Sequence, residues 1–282
     1  MSRGFLTFVQ NNNKTDYLNI AYLQALSLKV TSQINRYAVV VDAHTQSLIT
    51  DRHRRVFDYI IPVPGNDDAA GQQWKMNNEW KALMASPFDQ TIKVEADLLF
   101  TSSVDHWWDI LGAQDVCFTN HVVDYTEKRS KARDYRKVFD DNQLPDIYAG
   151  LYYFEKSDTA TELFEYAENI FKHWIYVKNY LLKNAADEPA STDLVFAMAA
   201  KLLGVERCTL PGPVPTFVHM KNAIQGWQSD MPWTELVHCE FDKSNFTVGF
   251  QRQRLPFHYH LKSFAKPDTI RHYEQLYFAK TS

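Results

Sequence analysis

Short apolar runs that end in a polar or acidic residue alternate with helical patterns through residues 4–119, and that alternation leaves few architectures open. Residues 4–10 are largely apolar and stop at Asn11-Asn12-Asn13, a polar turn. Residues 37–42 (YAVVVD) are a continuous apolar run closed by an acid, the pattern of a strand buried on both faces. Residues 59–63 repeat it before Pro64-Gly65, and residues 91–100 (TIKVEADLLF) and 115–119 (DVCFT) continue it. Between the runs, Thr15-Asp16 offers an N-cap, and Leu18, Ala21, Tyr22, Ala25 and Leu28 share a helical stripe. Residues 74–84 read as a second helix, stopped by Ser86-Pro87. The pattern predicts an α/β fold: a mixed, mostly parallel sheet flanked by helices and joined by right-handed crossovers.

The second half continues with residues 147–154 (IYAGLYYF) as a strand. Thr159-x-x-Glu162 then reads as a capping box, and Leu163, Ala167, Ile170, Trp174 and Leu181 as the stripe of one long helix. Residues 184–190 break it, and Ser191 or Thr192 caps a shorter helix ending at Gly204. After Pro211-Gly212-Pro213 the chain is aromatic and irregular, with no repeat or flexible linker, so a single domain with a less regular C-terminal lobe is expected.

At 282 residues and 45% hydrophobic content a sizeable core needs no staples. No stretch approaches the roughly 18 apolar residues of a membrane span, and the six-residue apolar run at 4–9 is too short for an export signal. Cys117, Cys208 and Cys239 fit neither a disulfide framework nor a C-x-x-C metal site and read as reduced thiols, which together predict a cytoplasmic protein. The net charge of −4 excludes a globally basic nucleic-acid binder. Locally, however, Lys128, Arg129, Lys131, Arg133, Arg136 and Lys137 face only Asp134, with Tyr125 and Tyr135 beside them. That segment is either a solvated helix face or a polyanion contact.

The sharpest candidate for chemistry is Glu95-Ala96-Asp97. With a period of two, Ile92, Val94, Ala96 and Leu98 share one face, and Lys93, Glu95 and Asp97 the other. Two carboxylates then enter one crevice at the carboxyl end of a strand, where open α/β sheets bind ligands. Such a pair suits a hard divalent cation that bridges phosphates; the plain alternative is a solvent-facing strand edge. Late in the chain, His258-Tyr259-His260 is followed by Lys262 and then Lys266-Pro267. A histidine can give a cation one nitrogen and a lysine can give a diphosphate a point charge; otherwise these are strand histidines and a solvated lysine.

Together these segments resemble the GT-A class of glycosyltransferases, especially the retaining family-8 type, over about residues 4–270. Glu95-Ala96-Asp97, preceded by Ser86-Pro87-Phe88-Asp89, resembles the family's D-x-D, with Glu95 for the first Asp. Residues 260–267 match its late H-x-x-G-x-x-K-P-W in spacing, with Ser263 for Gly and Asp268 for Trp. The resemblance implies a GT-A-like (Rossmann-like) domain over residues 1–282, with a nucleotide-sugar-binding half at 1–120 and an acceptor half and irregular lobe at 121–282. It implies a UDP-sugar donor and Mn²⁺ or Mg²⁺ held by Asp97 and His260, or His258 if the register shifts by one strand repeat, with Glu95 binding the metal directly or holding the nucleotide ribose. Lys266 would hold the diphosphate. Gln10 and Asn11 would begin the nucleotide pocket, Tyr17 would stack on the base, and Asp42 is a second candidate there or a plain helix cap. Tyr148-Ala149-Gly150 resembles the family's N-A-G, with Tyr for Asn. The acid facing the transferred sugar would be Asp193, then Asp187 or Glu188.

The string as a whole also resembles glycosyltransferases of large tailed phages, some of which decorate hydroxymethylated pyrimidines in their DNA. The expected activity is metal-dependent, retaining transfer of a sugar to a hydroxyl, with phage double-stranded DNA in the host cytoplasm as the favoured acceptor. The alternatives are a cell-surface polysaccharide or lipopolysaccharide acceptor, and an inactive nucleotide-sugar or nucleic-acid binding protein of the same fold, for which Glu95 is the argument.

Overall fold

The computed structural model describes residues 1–73, 75–130, 136–186, 189–221, 224 and 231–281. β1 (Arg3–Val9) is central because its side chains feed two cores: Phe5 and Val9 enter one, Leu6 and Phe8 the other. β2 (Tyr37–Val41) and β4 (Gln90–Val94) run parallel on either side of it, and β3 (Tyr59–Pro62) continues parallel beyond β2. On the far side, β8 (Tyr148–Glu155) is antiparallel to β4, and β6 (Val116–Thr119) is antiparallel to β8. The order β3-β2-β1-β4-β8-β6 is the mixed, mostly parallel sheet flanked by helices that the alternation predicts.

The run at 91–100 does not make one strand. β4 ends at Val94, residues 95–97 turn, and β5 (Leu98–Leu99) joins a second sheet. In that sheet β5 pairs with β13 (Phe257–His258), which pairs with β9 (Thr216–His219), which pairs with β7 (His121–Val123). The carboxylate pair therefore sits where the chain crosses from one sheet to the other. Ile92, Val94, Ala96 and Leu98 still share one core, as period two requires, while Lys93 faces Tyr152 of the other core.

Asp16 caps the helix Tyr17–Thr31, its carboxylate accepting from the Asn19 N–H at 3.1 Å. That helix is buried nearly all round, not along one stripe. The sheet covers one side and a C-terminal helix, Pro267–Thr281, covers the other, with the Tyr22 hydroxyl donating to Glu274 at 2.9 Å. Each fully buried Leu here contributes roughly 1.5–3 kcal/mol. The C-terminal region is thus more regular than its composition suggests. Pro267 at a first helical position followed by Ile270 and Tyr273 was its signal. A small antiparallel meander, β10 (Cys239–Asp242), β11 (Asn245–Val248) and β12 (Gln251–Gln253), completes that region.

Two helices depart from expectation. The segment after position 74 is a 3₁₀ turn, Met76–Lys81, followed by a single α-turn, Ala82–Ala85. Ser157, not Thr159, caps the long helix Asp158–Lys172, its hydroxyl accepting from the Ala160 N–H at 3.2 Å. That helix stops at His173 and gives way to Trp174–Tyr176 and a π-turn, Val177–Leu181. The reason is packing: Trp174 and Val177 are buried, but Leu181 is 58% exposed, so nothing holds the stripe's last member in register. Among the described residues no helix is long and apolar enough to cross a membrane.

Gly4 in β1 is required by close approach. A Cβ there would meet the Phe88 ring at 2.3–2.5 Å, and Phe88 is fully buried. Gly4→Ala should cost about 1–3 kcal/mol by overpacking. Pairing it with Phe88→Leu should recover part of that loss in urea denaturation; strictly additive losses would show that the ring is not the obstacle.

Candidate active site

The turn at 95–97 is built from both neighbouring sheets and one helix. The Glu95 N–H donates to Gly150 O at 2.9 Å, tying the turn to β8. A Cβ on Gly150 would lie 3.2 Å from Glu95 Oε2, so the absence of a side chain there gives the carboxylate its place. From the helix Tyr17–Thr31, Gln24 Nε2 donates to Glu95 O at 2.6 Å and to Leu98 O at 2.9 Å, clamping the turn at both ends. Gln24 is buried, and its Oε1 accepts from the Tyr37 hydroxyl.

Glu95 and Asp97 face a cavity of about 320 Å³ whose wall also carries Gln10, Tyr17, Glu79, His258 and Lys262. His258 Nε2 lies 3.1 Å from Glu95 Oε2 and 3.2 Å from Asp97 Oδ2, and Lys262 Nζ donates to the same Asp97 oxygen. Burial pushes the Asp97 carboxyl up, but the charges of His258 and Lys262 outweigh it and hold the group well below the usual carboxylate range. Burial lowers His258 and Lys262 in turn, and Asp97 more than restores both, leaving each above its ordinary value. Glu95, Asp97 and His258 each offer a ligand atom within 4.8 Å of the others, a group able to hold a metal ion. Deeper in the wall, Glu79 pairs with Lys93 at 2.5 Å; burial raises the Glu79 carboxyl although Lys93 opposes it.

His258, not His260, meets the carboxylates. His260 takes a left-handed backbone, φ 45°, and its Nε2 lies 2.6 Å from that of His219. Lys266 is exposed and does not line the cavity; Lys262 does. A 3₁₀ turn, Lys262–Phe264, and the helix start at Pro267 carry Lys266 away, which spacing alone does not reveal. Gln10 lies on the cavity wall, its amide donating to Asp67 at 3.2 Å and accepting from Asn78 at 2.9 Å. Tyr17 is beside it, with Lys262 Nζ 5.7 Å from its ring. Asn11 and Asp42 do structural work. The Asn11 side-chain Oδ1 accepts from the Leu18 N–H at 2.8 Å, and Asp42 caps the helix Ala43–Ser47 through the Thr45 N–H at 2.7 Å. For Asp42 the plain helix-cap alternative is the one observed.

Asp193, in the first turn of the helix Thr192–Leu203, has both oxygens engaged. One accepts from the Ala149 N–H at 2.7 Å and the other from Arg136 Nη2 at 2.7 Å. Arg136 corrects the basic-patch expectation: it is fully buried, stacked 3.6 Å over Tyr148 and paired with Asp146 at 2.9 Å, so it grips no phosphate from solvent. Lys137 pairs with Asp141 at 2.6 Å, one turn on. Lys128 and Arg129 are exposed in a turn closed by Asp124. Lys131, Arg133, Asp187 and Glu188 lie outside the described residues. Sequence reasoning missed Gln24, Lys262 and His219. Only Lys262 had a signal, its four-residue spacing from His258.

No protein-family model and no curated protein matches this sequence. Among solved structures the chain is similar to mouse xyloside xylosyltransferase 1 in its apo form, at 8% identity and TM-score 0.47 over 78% of this chain and 86% of that one. It is similar to the galactosyltransferase LgtC in complex with donor and acceptor sugar analogs, at 14% identity and TM-score 0.44 over 71% of this chain and 70% of that one. It is also similar to the glycosyltransferase GlyE of Streptococcus pneumoniae TIGR4, at 11% identity and TM-score 0.45 over 75% of this chain and 45% of that one. At such identities and scores the likeness says nothing of chemistry, which rests on the side chains.

Two outcomes follow from the geometry. Gln24→Leu removes the donor to two buried carbonyls and should cost about 2–6 kcal/mol in urea denaturation; a loss within error would mean the turn is held otherwise. The histidines set the pH dependence of the metal-free protein. Burial and the charge of His258 lower His219 far below the usual imidazole range and His260 to about 2. Unfolded imidazoles take protons near pH 6.5 that these two refuse when folded, so stability falls as pH drops below about 6.5, by up to about 1.4 kcal/mol per pH unit for each. His258 opposes the trend: its raised folded value gives stability that is fully present below pH 6.5 and lost as pH rises through that value. Urea midpoints from pH 7 to pH 5 should decline for the wild type and decline less for His260→Asn.

Proposed function

We propose that the chain transfers a sugar from a nucleotide sugar, with UDP as the carrier, to a hydroxyl acceptor, using a divalent ion held by Glu95, Asp97 and His258. The observation that carries this reading is the gathering of two carboxylates, an imidazole and the Lys262 ammonium on one cavity at the carboxyl ends of β1 and β4. Two carboxylate oxygens and one imidazole nitrogen fit Mn²⁺, with Mg²⁺ the harder alternative. An ion bound there supplies positive charge where the departing diphosphate becomes more negative.

The chain's own residues do the rest. Lys262 neutralises Asp97 in the metal-free protein, and beside a bound diphosphate its ammonium takes the role that the sequence pattern gave to Lys266. Tyr17 and Gln10 form the wall against which the nucleotide lies. Asp193 is a positioning residue: by holding the Ala149 N–H it fixes the backbone at Gly150, and so the place of Glu95. Retention at the anomeric carbon belongs to the reading and is read from product NMR.

For the acceptor, the exposed pair Lys128 and Arg129 favours DNA. A different observation favours a saccharide. A second cavity, about 560 Å³, lies across the segment 72–79 and is lined by Gln72, Gln73, Asn77, His173, Trp174 and Tyr176. Amides suit sugar hydroxyls, and aromatic rings suit sugar C–H faces.

The test is a thermal-shift panel with Mn²⁺, UDP, both together, and ADP or GDP with Mn²⁺. A ligand at 100 times its Kd stabilises by about 2.7 kcal/mol, roughly 5–10 °C for a chain near this size. A shift that needs UDP and Mn²⁺ together, and that is lost in Asp97→Ala, is expected; a flat panel overturns the reading. Offering labelled UDP-sugars with hydroxymethylcytosine DNA and with oligosaccharides then separates the two acceptors.

A further inference from the structure

Beside the carboxylates lies a second group of ligands that shares only His258 with the site described above. His219, at the end of β9, is the register partner of His258 on β13. The left-handed turn at His260 brings a third imidazole back over them, its ring centroid 4.0 Å from His258 and 4.7 Å from His219. One ring nitrogen from each of His219, His258 and His260 lies within 4.8 Å of the other two. Tyr148 and Phe217 pack edge-on against His219, closing the group on its far side. His258 Nδ1 is buried with no hydrogen-bond partner among the described residues.

We propose that His219, His258 and His260 form an all-imidazole site for a zinc-class divalent ion, and that an ion bound there competes with one held by Glu95, Asp97 and His258. Only the competition rests on the functional reading; the site itself does not. Three nitrogen donors are the protein set of an open tetrahedral zinc site, whereas Mn²⁺ and Mg²⁺ prefer the oxygen-rich set next to it. In tetrahedral geometry nitrogen ligands stand roughly 3.3 Å apart. The 2.6 Å contact between His219 and His260 therefore has to open by less than about 1 Å to admit an ion. His258 belongs to both groups. An ion that recruits it toward His219 and His260 takes a ligand from the carboxylates and weakens Mn²⁺ there.

Calorimetric titration of the full chain with Zn²⁺, and with Co²⁺ as the visible-absorbing probe, tests the site. His219→Ala should weaken Zn²⁺ at least tenfold and abolish the intense tetrahedral Co²⁺ band, while a wild-type-like circular dichroism spectrum and cooperative urea transition show that it is folded. Asp97→Asn should keep Zn²⁺ binding and lose Mn²⁺ binding. Unchanged Zn²⁺ affinity in His219→Ala overturns the site. X-ray absorption of the zinc-loaded wild type reads the ligands directly and needs no variant: three imidazoles are expected, and one imidazole among carboxylate oxygens overturns the proposal. In the wild type, Zn²⁺ should raise the apparent Kd for Mn²⁺ and should not do so in His219→Ala; no effect in the wild type overturns the competition. Normal Mn²⁺ binding by Asp97→Asn would sink the functional reading and leave the zinc site standing.

Discussion

The Gln24 amide holds the turn on which the rest of the site depends. One polar side chain, buried in an otherwise apolar helix, donates to the carbonyls that bracket Glu95-Ala96-Asp97. Without those bonds two carbonyls at the junction of two sheets would be buried unpaired, a penalty of about 1–3 kcal/mol each. With them, the chain can leave β4, present two carboxylates to a cavity, and enter β5 within three residues. Ala96 faces the core in between, which keeps both acids on the cavity side. The C-terminal helix covers the outer face of that helix, so the last fifteen described residues help to fix a site built from the middle of the chain.

Charge balance explains why the cavity tolerates three carboxylates. Glu79 is matched by Lys93 and Asp97 by Lys262, while Glu95 and Asp97 share His258. Removing one member of a buried pair costs about 3–5 kcal/mol, while the intact pair adds little net stability. Such pairs are therefore poorly explained as stabilisers. Lys262 fits a different role, because its ammonium sits on the carboxylate oxygen where a divalent ion would place its charge. It can move from Asp97 to a phosphate when an ion takes over the carboxylate, so the cavity need never hold an unbalanced charge.

Much of the fold was legible because burial on both faces leaves a crude pattern. The run at 37–42 became β2, buried throughout, whereas the run at 59–63 became β3, a half-exposed edge strand rather than a buried one, and period two placed Ile92, Val94, Ala96 and Leu98 on one core face. The pattern could not show where a run changes sheets, since Val94 and Leu98 are equally buried on either side of the turn. Nor could it show that Leu181 has nothing to pack on. In the site, Glu95 and Asp97 were legible because acids inside an apolar run demand a reason. The choice between His258 and His260 was not, because it turns on a left-handed residue that carries no glycine to announce it. Lys262 and Lys266 differ by one 3₁₀ turn, and a spacing match assigns the farther lysine.

The basic stretch at 128–137 shows how composition misleads at short range. Six cations in ten residues look like a phosphate-binding surface, yet the described ones divide among three environments. Arg136 is a buried strut between Asp146 and Asp193, Lys137 pairs within its own helix, and Lys128 and Arg129 remain in solvent. Planar stacking on Tyr148 is a reason for arginine at 136, since a lysine could neither stack there nor fork to two acids. An arginine used this way gives no salt-dependent grip on a polyanion. What it does is anchor Asp193, which anchors Ala149 and with it the glycine that leaves room for Glu95. The sign of the segment's charge thus matters less for what it attracts than for the chain of contacts it closes behind the carboxylates.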